Sequence, residues 1–270
     1  FLCNPRVVII ELKKNIPPGV GKESAFGVAI QRSSGRYVSV LYADDWYLPT
    51  KIEKQVSLFS KSSNSVGVIY CHGYRYLEQS GRMSKWKHQS VRGYVFRSYL
   101  LNGDVVIPIS PLVKRHCYDI VGLNNIWTGS EYDFLVMSQY VDFDFVDEYL
   151  VVMRDHNNND AKNIYSVYKR LTQFHKTALL EGNARSREGR LVNMRVAHDA
   201  FSDGLTFITM LDKCHGKEAI FYAVKVYPLI ILRWKLVMAI ILIYLPLPIL
   251  KYLLNKSGKK SLFKHVECEW

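Results

Sequence analysis

The amino-acid sequence predicts an α/β domain with a mainly parallel sheet flanked by helices, followed by an all-helical C-terminal extension. Apolar, β-branched segments alternate with amphipathic segments over residues 6–153, as expected for a sheet covered by helices. After Asn159 and Asp160, a favourable pair for starting a helix, the periodicity becomes helical. The sequence therefore divides at about residue 158.

The predicted sheet is assembled from short apolar segments separated by turn residues. The predicted strands are 6–12, 37–42, 66–77, 82–88, 105–109, 112–114, 141–145 and 149–153. Strands 66–77 and 82–88 are predicted to form a hairpin around Gly81. The predicted helices are about 22–33, a helix opened by Pro49 that continues to about residue 61, and a helix within 129–140.

The charge of the chain predicts an anionic partner. The net charge is +12, which suits a phosphorylated ligand, a nucleic acid or an acidic membrane surface. No helix-turn-helix, zinc-finger or aromatic RNA-binding pattern occurs, so we expect no nucleic acid. The five cysteines are scattered without a CxxC pair, which argues against a disulfide framework and indicates a reducing compartment.

Residues 217–270 form a hydrophobic and basic segment that predicts association with a membrane. The stretch 236–254 is apolar except for Pro246, Pro248 and Lys251, and its length is close to the roughly 20 residues that cross a bilayer. The two prolines make a re-entrant or in-plane pair of helices an equal alternative to a simple span. A helical hairpin buried against the rest of the protein is the third possibility.

The strongest local signal for chemistry is the acidic pair Asp44 and Asp45, which follows the predicted strand 37–42. Ligands of open α/β sheets bind at the carboxyl ends of strands. Carboxylate oxygens at such a position are suitable ligands for a hard divalent cation. A solvated turn or a helix cap is the alternative interpretation of the pair alone.

Several motifs, in order along the chain, resemble the family-2 glycosyltransferases of GT-A fold. Residues 35–55 (GRYVSVLYADDWYLPTKIEKQ) resemble the strand that ends in a DxD-type motif before a helix opened by proline. Residues 92–115 resemble the segment that precedes the acceptor site, and 118–134 the region of the catalytic acid. Residues 149–158 (YLVVMRDHNN) resemble the closing strand with its Arg-x-His. The resemblance covers residues 6–158.

The resemblance implies a donor site for a nucleotide sugar. Asp44, Asp45 and His156 would bind Mg²⁺ or Mn²⁺ against the donor diphosphate, and Arg154 would bind its phosphates. For Arg154 and His156 the alternative is an ordinary surface loop after a strand. Lys22, at a predicted helix start, would steer phosphate to the backbone N–H groups there, unless it is only a solvated charge.

The resemblance also implies a catalytic acid and an acceptor site. Glu131 falls where the family has its catalytic Asp and would act as general base toward the acceptor hydroxyl. A helix N-terminal acid is the alternative for Glu131, and a structural role is the alternative for the second candidate, Asp133. Trp127 would stack on an acceptor sugar, or else pack in the core.

The sequence departs from the family pattern in three ways. Tyr42 stands where the first Asp of the common motif is found, so Asp44 is the expected principal metal ligand with Asp45 assisting. The usual Glu-Asp pair is Ser130-Glu131. The family's two base-binding motifs do not occur, so the resemblance implies that one or more N-terminal strands are missing. We therefore expect the chain alone to fold poorly and to bind UDP-sugar poorly.

The function expected from the resemblance is inverting transfer of a sugar from a UDP- or GDP-sugar to a glycan or lipid-linked acceptor. We expect it at the cytoplasmic face of a membrane, in polysaccharide biosynthesis. The expected parts are a partial GT-A domain (1–158), a helical extension (159–216) and a membrane-associating segment (217–270). A degenerate, non-catalytic domain that binds glycan or nucleotide is one alternative. A protein that only binds an anionic membrane or nucleic acid is the other.

Overall fold

The computed structural model describes residues 4, 6–13, 24–121, 131–159, 162–181, 187–232 and 234–256. The chain forms two compact units, Phe1–His156 and Asn157–Trp270. This division falls two residues before the expected boundary after residue 158. The boundary expected between residues 216 and 217 lies within a helix of the second unit.

The first unit is a mixed sheet with flanking helices. Its described strands are β1 (Tyr37–Val38), β2 (Trp46–Tyr47), β3 (Val66–Leu77), β4 (Arg82–Trp86), β5 (Leu112–Lys114) and β6 (Asp142–Asp155). Its described helices are α1 (Ala25–Arg32), α2 (Lys51–Lys61), α3 (Phe96–Asn102), α4 (His116–Val121) and α5 (Glu131–Met137). The strands follow the order β1-β5-β3-β6-β2, and β4 pairs with β3 outside this path.

The predicted α/β class is confirmed, but the sheet is mixed rather than mainly parallel. β3 and β6 pair in parallel along nearly their whole length. The other described pairings, β1–β5, β2–β6, β3–β4 and β3–β5, are antiparallel. Alternating strands and helices predict the layers of a domain, but they do not determine the direction in which strands of two or three residues join a sheet.

Two segments predicted as buried strands lie largely outside the sheet. Residues 6–12 form no strand and are mostly exposed, with 74% of Val8 and 57% of Ile9 accessible. No strand in the described part of the chain pairs with this segment, so its apolar side chains have no sheet to pack on. Of residues 37–42, only Tyr37–Val38 enters the sheet.

Two other predictions are corrected within the core. Residues 105–109 are irregular rather than a strand, because Pro108 has no N–H for a ladder, yet their apolar side chains are buried. The predicted strands 141–145 and 149–153 fall, apart from Val141, in the single strand β6. Asp147 and Glu148 lie at an irregularity in its pairing with β3, and these acids interrupt the apolar alternation that would have revealed one strand.

Helix α2 is confirmed, but it buries an unexpected face. Lys51, Gln55 and Phe59, spaced four residues apart, are buried, whereas Ile52 and Val56 are partly exposed. Gln55 Nε2 donates hydrogen bonds of 2.8 Å to the carbonyl oxygens of Ile69 and Ser110. The amide of Gln55 thus joins β3 to the irregular segment that covers it.

Lys51 connects α2 to the chain on both sides of the acidic pair. Its Nζ donates to Ser39 Oγ at 3.0 Å and lies 4.0 Å from the centre of the Tyr47 ring. Ser39 Oγ donates to the Pro111 carbonyl at 3.0 Å and is 2.9 Å from the Tyr47 hydroxyl, which donates to the Val40 carbonyl. Ser39 precedes the acidic pair and Tyr47 follows it, so this anchor fixes both ends of the intervening turn.

The all-helical extension is confirmed in the second unit. Its described helices are α6 (Ile164–Glu181), α7 (Arg187–Thr209), α8 (Lys213–Val226), α9 (Trp234–Tyr244) and α10 (Leu247–Lys256), with a 3₁₀ turn at Pro228–Leu232. α7 and α8 approach closely because Gly204 and Gly216 face each other's helix. A Cβ atom at Gly204 would lie 2.9 Å from Ile220 side-chain atoms.

The apolar segment 236–254 is divided between α9 and α10 at Leu245 and Pro246. Proline cannot continue the hydrogen bonding of α9, which accounts for the break. Over the ranges of the chain that the structure describes, none of the helices combines the length and the hydrophobicity needed to cross a bilayer.

The buried Lys51 predicts a pH-dependent stability. Burial lowers the pKa of Lys51 to about 8, below its ordinary value of 10.5. The folded state therefore bears the full cost of a buried charge below about pH 8, and this cost disappears as the pH rises toward 10.5. We expect Lys51→Met to raise the unfolding free energy of the first unit by about 2–3 kcal/mol more below pH 8 than near pH 10.5.

Denaturant unfolding followed by near-ultraviolet circular dichroism tests this expectation. Lys54→Met, on the same helix but with a partly exposed side chain that pairs with Glu148 at 2.5 Å, is the matched control. A difference between Lys51→Met and the wild type that stays constant across this pH range would contradict the prediction.

Candidate active site

The structure brings Asp44 and His156 together across 112 positions of sequence. β2 pairs with the end of β6, with Trp46 opposite Val152 and Tyr47 opposite Val151. Asp44 precedes β2 and His156 follows β6, so both lie beyond the same end of this ladder. His156 Nε2 is 2.7 Å from Asp44 Oδ2, and both side chains are partly exposed. The predicted pair thus forms a contact that solvent can reach.

Asp45 points to the backbone of the same strand end. Its Oδ1 accepts a hydrogen bond of 2.9 Å from the N–H of Arg154, and its own N–H donates to the Tyr42 carbonyl. The pKa of Asp45 is raised to about 6, because burial and, to a smaller extent, the charge of Asp44 outweigh the lowering effects of the Arg154 N–H and of His156. The two carboxyl groups therefore have different partners although they are adjacent in sequence.

The guanidinium of Arg154, predicted to bind phosphate, contacts the carboxylate of Glu78. This carboxylate raises the pKa of Arg154, and Asp44 adds to the effect. Both side chains are accessible to solvent. Glu78 follows β3 directly, as His156 follows β6, so the carboxyl ends of the parallel pair lie side by side. A phosphate bound by Arg154 would share the guanidinium with Glu78 or replace it.

The remaining predicted residues are described only in part. Lys22 and Trp127 lie outside the described residues, so their predicted roles stay predictions. Glu131 is the first residue of α5, as expected for its position, but its side chain is outside the described part. Asp133 is 5% exposed, and its charge raises the pKa of the buried Tyr118 hydroxyl beyond the effect of burial itself. This burial favours the structural alternative for Asp133.

The sequence patterns did not predict the hydrogen-bonded anchor formed by Ser39, Tyr47 and Lys51. They also did not predict that Glu78 forms an ion pair with the guanidinium of Arg154. A signal for Lys51 was present, because Lys51, Gln55 and Phe59 share one face of α2. The charge of Lys51 concealed that signal, since a lysine in a helix is ordinarily assigned to the solvent side.

The donor set at Asp44 fits a divalent cation that takes most of its ligands from a substrate. Across the described ranges, no group of three or more His, Cys, Asp or Glu side chains is placed to hold a metal ion. Mg²⁺, however, is commonly held by one or two carboxylates together with substrate phosphates and water. Asp44, with His156 beside it and Asp45 next in sequence, offers a partial set of that kind.

A cavity of about 460 Å³ lies elsewhere on the first unit. It is lined by basic groups of Arg36, Lys114, Arg115 and His116, together with Asn64 and Asp119. Among the described candidates, Asp44, Asp45, Asp133, Arg154 and His156 do not line it. The Arg115 guanidinium in its wall already donates to Ser33 and to the carbonyls of Ile30 and Gly35.

Comparisons with known proteins agree with the motif order. Residues 3–112 match the model of glycosyl transferase family 2. An uncharacterized glycosyltransferase of Methanocaldococcus jannaschii is 23% identical over 177 residues, which are 60% of this chain and 58% of the relative. One of Rickettsia prowazekii is 39% identical over 59 residues, which are 22% of this chain and 18% of the relative. The chain thus spans well under two thirds of the relatives it matches.

A solved structure is also similar. It is a mannosyltransferase from Pyrobaculum calidifontis in complex with GDP-Man and Mn²⁺, 13% identical, with a TM-score of 0.46 over 90% of this chain and 61% of that chain. The acidic pair and the helix that follows it fall inside the region that matches the family model. Residues 3–112 thus match the family that the order of the motifs resembles.

Proposed function

We propose that this chain transfers a sugar from a nucleotide-diphosphate donor to a glycan or lipid-linked acceptor at the cytoplasmic face of a membrane. The family match supports the reaction class. The observation that carries the proposal is the contact between Asp44 and His156 at the carboxyl ends of the parallel strands β3 and β6. Ligands of open α/β sheets bind at such an edge.

Asp44 and His156 would hold a divalent cation, and Asp45 supports this pair from the adjacent position. Such a cation, Mg²⁺ or Mn²⁺, supplies Lewis-acid stabilisation of the diphosphate leaving group. The hydrogen bond from the Arg154 N–H fixes the Asp45 carboxylate, which leaves the Asp44 carboxylate to face His156. The anchor at Lys51 holds the turn that carries both acids.

The remaining roles follow from the family resemblance. The Arg154 guanidinium would exchange Glu78 for a donor phosphate, and Lys22 would add a second positive charge. Glu131 would remove the proton from the acceptor hydroxyl as that oxygen attacks the anomeric carbon, with Asp133 as a buried neighbour on the same helix. A single displacement of this kind inverts the anomeric configuration. Trp127 would contact the acceptor sugar.

A non-catalytic domain that binds nucleotide or glycan is the second candidate. It is favoured by Tyr42, which stands where the family has an acid and packs against the buried cluster of Cys71, Ile107 and Val151. A side chain packed there contributes no metal ligand. The two candidates differ in turnover, since a non-catalytic domain binds a nucleoside diphosphate without releasing one from a nucleotide sugar.

The proposal predicts a metal-dependent release of nucleoside diphosphate that requires Asp44. With the donor at high concentration, which offsets the weak binding expected from the sequence, the chain should release UDP or GDP from a panel of nucleotide sugars in Mg²⁺ or Mn²⁺, and should lose this activity with a chelator. Asp44→Asn removes the charge that faces the cation and should lower the rate by about 100-fold or more. Release is measured by a coupled nucleoside-diphosphate assay.

The matched control is Asp142→Asn at the opposite end of β6, where the carboxylate accepts a hydrogen bond of 2.7 Å from Ser65. This variant should keep the wild-type rate. Equal rates for Asp44→Asn and the wild type would contradict the proposed site. Nucleotide binding without any release, with all donors and both cations, would support the non-catalytic candidate instead.

A further inference from the structure

The outer face of α9, α10 and the preceding 3₁₀ turn is strongly apolar. On α9 the buried positions are Leu236, Ala239 and Ile243, which form one stripe of the helix. The opposite side is apolar too, with 71% of Trp234 and 49% of Ile241 exposed. A soluble helix is expected to carry polar residues on its outer side, so this helix is apolar on a face that its own unit does not cover.

The same face continues beyond α9 on both sides. In the 3₁₀ turn Leu229 is 60% and Leu232 is 80% exposed, while Ile230 between them is buried. In α10 Leu250 is buried, whereas Ile249 and Tyr252 are 48% and 64% exposed. Each of the three segments therefore packs one side on the unit and turns large apolar side chains outward. Contiguous apolar surface of this kind marks an interaction site.

The charged residues in the segments that form this face are all positive. Between Glu218 and Glu267 the sequence contains eight Lys or Arg residues and no Asp or Glu. Lys225, Lys235, Lys251 and Lys256 lie at exposed positions of α8, α9 and α10. An apolar surface whose own segments carry cations and no acids complements a bilayer with anionic headgroups, because the lipid supplies both the apolar and the negatively charged layer.

The geometry favours helices that lie in the plane of the interface. α9 has 11 residues and α10 has 10, so each is about 15 Å long, roughly half the thickness of the hydrocarbon core. The Lys213 ammonium donates to the carbonyl of Leu245 just beyond α9, and the inner face of α9 is packed on α7 and α8. To span a bilayer, α9 would have to leave this packing.

We propose that the outer face of the 3₁₀ turn, α9 and α10 is a docking surface for an anionic membrane, with both helices lying in the headgroup region. Trp234, Tyr244 and Tyr252 are exposed on it, and such aromatic side chains favour the boundary between headgroups and hydrocarbon. The inference deepens the membrane location proposed above, and it does not depend on sugar transfer.

Vesicle flotation with the full chain tests the proposal, with no nucleotide sugar present. We expect binding to vesicles that contain phosphatidylglycerol and weak binding to pure phosphatidylcholine. Binding should fall at about 1 M salt, where the Debye length shrinks to about 3 Å. Lys235→Gln and Lys251→Gln should each weaken binding to the anionic vesicles by about fivefold, because each removes one cation at the surface.

The apolar contribution is tested by Met238→Asp combined with Ile241→Asp, which places two charges on the docking surface at exposed positions of α9. We expect binding to fall at least about tenfold. The matched control is Met83→Asp with Ile120→Asp, two equally exposed apolar positions of the first unit. This control should bind as the wild type does, and circular dichroism verifies that both proteins are folded.

The depth of docking is read from Trp234 fluorescence with lipids brominated at different positions, using Trp234→Phe to isolate its signal. Shallow bromines should quench Trp234 more than bromines near the bilayer centre. Stronger quenching from the centre would overturn the in-plane arrangement. Equal flotation of all variants would contradict the proposed docking surface. A stable dimer in solution that does not bind vesicles would also contradict it and would indicate that a second copy covers this face. Nucleoside diphosphate release that persists without flotation would refute docking while leaving the transferase proposal intact.

Discussion

The pairing of β6 with its two neighbours is the constraint on which the candidate site depends. Its parallel alignment with β3 brings Glu78 and Arg154 to the same edge of the sheet. Its antiparallel alignment with β2 places the acidic pair beside the residues that follow β6. A shift of β6 by one residue would turn every side chain of the strand to the opposite face of the sheet, so the site would lose both contacts.

The buried Lys51 in the core of the first unit helps to hold the acidic pair in position, at some cost in stability. Lys51 is buried beside a serine hydroxyl and a tyrosine ring, and among the described residues no carboxylate accepts a hydrogen bond from its ammonium. Burying a charge is unfavourable unless it is compensated, so an apolar residue at this position would suit the core better. Its contacts, however, lie on both sides of the turn that carries Asp44 and Asp45. The position of that turn is the physical benefit that offsets the burial.

The sequence was most informative where chemical groups adjoin strand ends. Asp44 was predicted from its position after an apolar strand and His156 from the resemblance of residues 149–158 to the family's closing strand, and the structure places the two side chains in contact. The burial of Lys51 was not predicted, although its spacing with Gln55 and Phe59 indicated it, because periodicity assigns charged side chains of a helix to solvent. The sequence also contained no signal for the contact of Arg154 with Glu78, because an acidic residue directly after a strand is common in ordinary turns. Strand direction was wrong for the short strands, since their pairing is determined by tertiary contacts and not by local pattern.

The central claim is that Asp44 and His156 bind a divalent cation together with a diphosphate. The most direct test is the broadening of histidine ring resonances by Mn²⁺ in the presence of a nucleoside diphosphate. His72 pairs with Tyr149 on β6, seven residues before His156, which corresponds to roughly 20 Å along the strand. Stoichiometric Mn²⁺ should broaden the His156 resonances strongly and leave those of His72 sharp, and Asp44→Asn should abolish the difference. Equal broadening of the two rings, or none at His156, would contradict it.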